Sequence, residues 1–197
     1  MATFAEVLDE VYNLTKRRDL VAETKTAVKA ATLKAHQSDY YYKDLFETGI
    51  QFLTSELIQD LAYREVIPNF RSLKYIRRSD INADQNGPFF TLLTPEQILD
   101  PYGVNKENIC YVAGEVIHIR SDAAFQYMFF GCYVNPNITE GAYNSWVSTD
   151  HLYAIVFEAA RVIFKTIGYD EESSTYEKLV TEQFQLLKAA NIDAHGY

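Results

Sequence analysis

The sequence predicts an α+β fold: a helical bundle formed by N- and C-terminal helices, with an inserted, mainly antiparallel β subdomain. Two changes of rhythm predict it. Apolar residues recur at helical spacing up to about residue 36 and again from about residue 149, while between them the period falls to two and turn residues multiply. No stretch rich in Pro, Gly or Ser separates the zones, so both sets of helices are expected to share one lobe. The expected division is residues 1–38 for the N-terminal helices, 39–147 for the β-rich subdomain and 148–197 for the C-terminal helices, which return to the lobe of 1–38.

The first helix is read from Phe4, Val7, Leu8, Val11 and Leu14, closed by the positive run Lys16-Arg17-Arg18. Asp19 is placed to cap a second helix from about Leu20 to His36. Its stripe of Val21, Val28, Ala31 and Ala35 is small enough for close helix packing, and Lys25, Lys29 and Lys34 form a basic edge, either solvated or an electrostatic dock.

Short strands are expected over Tyr40–Phe46, Ile50–Leu53, Phe70–Arg77, Asn108–Ala113, Glu115–Arg120 and Gln126–Tyr133. Gly114 makes a tight hairpin between the fourth and fifth of these. Thr94-Pro95-Glu96-Gln97 reads as a cap, a proline at the first helical position and a capping-box glutamine, giving a short helix that stops at Pro101. Asp80 to Pro88 is expected to be a projecting polar loop.

From Thr149 or Asp150 to Ile167 a helix is apolar on two adjacent faces. Leu152, Ile155, Val156, Ala159, Val162 and Ile163 make one; Tyr153, Phe157, Ala160, Phe164 and Ile167 make the other. Only Asp150, Glu158, Arg161 and Lys165 are left for water, so this helix must be sandwiched, in a core or between subunits. Gly168 ends it, and a last helix carries Tyr176, Leu179, Val180, Phe184 and Leu187 on its apolar stripe, to about Ala190.

Composition narrows the function. With 48% hydrophobic and 23% charged residues the chain is neither disordered nor of low complexity, and its 15 Tyr and 12 Phe favour contact surfaces. A net charge of −9 argues against coating nucleic acid over the whole surface. The longest apolar runs fall well short of a membrane helix, and Met-Ala-Thr-Phe-Ala-Glu lacks the features of an export signal, so neither a span nor export is expected. Cys110 and Cys132 are expected to be buried free thiols.

No catalytic constellation is legible. Nucleophile motifs and glycine-rich phosphate loops are absent, and His36, His118, His151 and His195 lack metal-ligand spacing, so no catalytic residue, metal or cofactor is assigned and the chain is not expected to be an enzyme. His36 reads as a helix-dipole partner, His118 as a strand residue and His151 as a first-turn residue. One basic cluster stands out: Arg71, Lys74, Arg77 and Arg78. Strand parity divides it between two faces, Arg71 with Arg77 and Lys74 with Arg78. It reads as a solvated edge that resists aggregation, or as a contact for nucleic acid or an acidic partner.

The segments ETKTAVKAATLKAHQSDYYYKDL (Glu23 to Leu45), YVAGEVIHIR (Tyr111 to Arg120) and His151 to Leu187, in this order, resemble the head-to-tail adaptor proteins of tailed bacteriophages, of the tail tubular protein A type. The resemblance implies a virion structural protein of the neck, assembled in the host cytoplasm into a ring of about twelve copies beneath the portal protein. Such a ring extends the DNA channel, lets double-stranded DNA pass without sequence-specific binding, and offers a platform to a downstream tail or nozzle protein. On that reading Tyr153, Phe157, Ala160 and Phe164 are expected between subunits, Tyr176, Val180, Phe184 and Leu187 against the portal, and Asp80, Asn82, Asp84 and Asn86 on a tail-side loop. The alternatives are a tail terminator or other neck protein and, from different classes, a small cytosolic ligand-binding protein or enzyme and a nucleic-acid-binding regulator.

Overall fold

A computed structural model describes residues 2–79, 86–99 and 107–193. The chain is mixed α and β, with helices at both ends, and divides into two compact units, Met1–Asp44 with Asn135–Tyr197, and Leu45–Val134. The β unit is shorter at both ends than residues 39–147. Tyr42–Asp44 is a 3-10 turn whose Asp44 bonds His36, and Tyr143 bonds Thr32 and packs on Phe4, so both flanks are held by helices.

In the helical unit α1 (Phe4–Thr15) starts from a complete capping box: Glu6 N–H donates to Thr3 Oγ1 at 3.2 Å, and Thr3 N–H donates to Glu6 Oε2 at 2.7 Å. The second helix, α2 (Val21–Gln37), is not capped by Asp19 as expected, because Arg17 holds both Asp19 oxygens at 2.8 and 2.7 Å. Leu20 stands at the N-cap without a side-chain bond, and Val21 is exposed; Ala27, Val28, Ala31 and Ala35 are the buried stripe. The basic edge is used within the chain: Lys25 and Lys29 reach Glu140 at 2.8 and 3.5 Å, and Lys34 reaches Glu158 at 2.7 Å.

The expected helix from residue 149 is two helices, α5 (Val147–Asp150) and α6 (Leu152–Thr166), broken at His151, whose φ of −139° and ψ of 50° are not helical. Helix α6 packs on α1 and α2 along one face, and α7 (Asp170–Asp193) covers the other. Between them Ile155, Val156, Ala159, Ile163 and Leu187 are almost fully buried. Among the described residues no helix is long and apolar enough to cross a membrane.

Among the described residues the β unit is one nearly closed six-stranded sheet, built on an antiparallel pair of strands longer than those expected. Strand β1 (Leu45–Ala62) runs antiparallel to β6 (Val116–Val134) in one register at both ends, Leu45 opposite Tyr133 and Ala62 opposite Val116. Between Gln51 and Ile58 the ladder is interrupted, and the sheet bends. Two side-chain amides repair the gap. Gln59 Nε2 donates to the carbonyls of Thr54 and Phe125 at 2.8 and 3.1 Å, and Gln126 Nε2 donates to Phe52 O at 3.0 Å. The other side of β6 takes β5 (Ile109–Ala113) along its first part and β2 (Phe70–Ser79) along its last. Short β3 (Asn86–Phe89) pairs with β2, and β4 (Thr91–Leu92) lies parallel to β5.

Local signals explain the connections. Gly114, at φ 62°, makes the β5–β6 turn, and the Thr94–Gln97 capping box opens α4 (Pro95–Leu99). A four-residue helix, α3 (Tyr63–Val66), joins β1 to β2. Ile76, Ile117, Ile119, Met128, Phe130 and Cys132 fill the core under the sheet.

Candidate functional site on the aromatic and cationic face of the sheet

The face of β2 and β6 turned away from that core carries alternating cations and rings. It is assembled by two bulges in β2: opposite β6 the register slips between Phe70 and Ser72 and again between Leu73 and Tyr75. Leu73 and Ile76 therefore both pack in the core although an odd number of positions separates them. The same slip overturns the parity argument, because Lys74 comes to the face of Arg71. Both cations lie over the Tyr133 ring, at 5.6 Å for Arg71 and 6.0 Å for Lys74. Further along, Arg77 stands over Phe129 at 5.0 Å and Phe89 at 5.8 Å. Between these layers the Tyr75 ring fills the space above Gly131 and meets Phe89 edge-on at 5.7 Å.

Arg78 alone of the four leaves this face, bonding Asp122 at 2.6 Å and Ser121 at 2.9 Å. Among the described residues Lys74 and Arg77 have no ion pair, and the buried Arg77 Nε has no hydrogen-bond partner. Phe89 is 60% exposed beside them. The arrangement can hold an anion against fixed guanidinium and ammonium groups and stack a planar group on exposed ring surface. The signal for it in the sequence is Gly131 within an aromatic run, where a missing side chain makes room for a neighbouring ring.

The residues expected between subunits are covered within the chain. Ala160 and Phe164 are buried, and Phe157 and Phe164 pack on Tyr176 of α7 at 5.8 and 5.3 Å; of the four only Tyr153 is exposed. A face without solvent-compatible residues finds its cover in α7, so no second chain is needed to bury it. The residues expected against the portal supply that cover: Val180 and Leu187 are buried, and Tyr176 and Phe184 are half-buried. Of the expected tail-side loop, Asp80, Asn82 and Asp84 lie outside the described residues, and Asn86 opens β3. His195 also lies outside them.

Two polar clusters were not legible in the sequence. His36, expected at a helix end for its charge, is buried; its Nδ1 and Nε2 lie 2.7 Å from Asp44 Oδ1 and 2.9 Å from Ser145 Oγ, and Trp146 Nε1 donates to the same Asp44 oxygen at 2.7 Å. Asp, His and Ser are thus connected as in a hydrolase triad, but Ser145 is 1% exposed, and no substrate reaches its hydroxyl. The second cluster is Glu158, buried under Lys34 at 2.7 Å and held by Arg161 through two bonds of 2.9 Å. Burial opposes its charged form, yet the hydrogen bonds from Arg161 and Lys34 prevail and hold its carboxyl below the ordinary range. A groove of about 390 Å³ opens beside this triad toward Phe184 and Lys188.

In the β unit a hollow of about 190 Å³ lies against Tyr111 and His118, whose rings stack at 4.8 Å, and His118 Nδ1 is 2.7 Å from Asp60. No group of three His, Cys, Asp or Glu side chains among the described residues is disposed to hold a metal ion. No protein-family model matches the chain, and no match is found among curated proteins.

Proposed function

We propose that the chain is a structural adaptor of a virion neck, a helical bundle with an inserted β subdomain that assembles into a ring of about twelve copies under a portal and extends its DNA channel. The observation that carries this reading is the outer edge of β1. The strand is 18 residues long, and among the described residues it pairs only with β6. Around the bend of that strand Leu53, Leu57 and Ile58 are 99%, 51% and 58% exposed. A long edge with apolar side chains is a template for another chain, and here the occupant is a second copy.

The symmetry of that contact decides the assembly. If β1 met β1 of its neighbour, a closed dimer would result; if it meets a different surface, copies follow one another round a ring. The segments that resemble phage adaptors favour the second. Electron microscopy of the purified protein tests it: closed rings support the reading, whereas single particles the size of a dimer overturn it.

A second reading, a module that binds a polyanion, is favoured by Arg77 and Lys74, which have no ion pair among the described residues.

A further inference from the structure

We propose that the face built by Arg71, Lys74, Tyr75, Arg77 and Phe89 binds single-stranded nucleic acid, its phosphates on the cations and a base on the exposed Phe89 ring. The chain has 27 acidic against 18 basic residues, so a cation has every opportunity to find a carboxylate within it. Arg17, Lys25, Lys34, Lys43, Arg78 and Arg161 do so. Among the described residues Lys74 and Arg77 do not, and they lie on one face of one strand.

Arg77 is also preset. Phe129 and Phe89 both contact its guanidinium, so less side-chain freedom is left to lose when an anion binds, and a planar fork matches two phosphate oxygens. The bulge at Lys74 aligns it with Arg71, so the cations span about 15–20 Å along β2, room for several phosphates. Phe89 supplies what an acidic peptide has no use for: 60% of its surface is open, next to the guanidinium, where a base can stack. Duplex pairing would keep bases from that ring, so a single strand is the better fit. Glu47, opposite Gly131 in the ladder, borders the patch and limits the affinity.

The face lies on β2, across β6 from the β1 edge, and nucleic-acid binding there is measured separately from ring formation. The probe is a fluorescein-labelled oligothymidylate of about 20 nucleotides, followed by anisotropy at low salt. Binding is expected to weaken with salt at a slope of about −2 in log K against log salt, the value for three phosphates on a single strand. Lys74→Glu, at an exposed position, should weaken binding at least tenfold. Phe89→Ala should weaken it severalfold while leaving heparin binding unchanged, because only the stacking surface is lost. Arg77→Lys should retain part of the affinity, and circular dichroism of each variant establishes that it is folded. No anisotropy change at low salt, or a folded Lys74→Glu protein that binds like the parent, overturns the proposal. Displacement of the oligonucleotide by polyglutamate at equal charge overturns it in favour of an acidic peptide.

Discussion

The ring of Tyr75 occupies the place of a side chain on Gly131: a Cβ built there would stand 2.5 Å from Tyr75 Cε1 and 2.6 Å from Cζ. Contacts that short do not persist, so Gly131→Ala must drive the ring off the face. The cost is expected to be about 1–3 kcal/mol, as for other overpacking changes. In a Tyr75→Ala background the same substitution should cost much less, and chemical denaturation of the four proteins of this cycle measures the coupling. Equal costs in both backgrounds would show that the two residues do not share this space.

Glu158 ties α6 to Lys34 of α2 from a buried position. Its carboxyl titrates lower in the folded chain than in the unfolded one, so its charge contributes stability above about pH 4.3, and that contribution is lost as pH falls through the lower folded value. Glu158→Gln should flatten this part of the acid-unfolding curve. At pH 7 Glu158→Ala should destabilise by about 1–2 kcal/mol, since Arg161 and Lys34 lose their shared partner but both reach water and rehydrate. Denaturant titration at the two pH values checks both signs.

His36, Asp44 and Ser145 bind one another inside the helical unit, and their role is to hold the residues flanking the β unit. Ser145→Ala should lower the unfolding free energy by about 1–3 kcal/mol, because His36 Nε2 loses its hydroxyl partner in a dry site. Hydrolysis of an activated ester by the parent, abolished in this variant, would contradict a purely structural role.

The two thiols give a reporter of global opening. Burial pushes Cys110 up to about 12 and Cys132 up to about 11, so neither is a thiolate at neutral pH. Both should resist a thiol-specific reagent in the native protein and react together on unfolding. Rapid labelling of Cys132 alone would mean that the β2 and β6 ladder opens locally.

Where structure follows from local pattern, the sequence was readable. Gly114 had to turn, Thr94 and Gln97 had to cap, and the period of two between the helical zones had to give strands. What local pattern does not encode is which partner satisfies a group. Asp19 suits a cap, yet Arg17 two residues away takes both its oxygens. Phe157 and Phe164 suit a subunit contact, yet Tyr176 of α7 reaches them first. Strand parity placed Lys74 with Arg78, but one inserted residue reverses parity, and a bulge leaves only the odd spacing of Leu73 and Ile76 as its trace. The bend in β6 falls between two expected short strands, Glu115–Arg120 and Gln126–Tyr133, and the expected strands of β1 stop at Leu53, because the amides that bridge the bend, Gln59 and Gln126, act across the ladder.

Self-assembly through the β1 edge is tested most directly by the native mass of the purified protein over a concentration series. A ring of twelve copies of this 22.6 kDa chain gives a species of about 271 kDa, and Ile58→Lys, at an exposed position beside that edge, should return it to smaller species. A mass of 22.6 kDa at every concentration, or a dimer that never grows, would contradict the account.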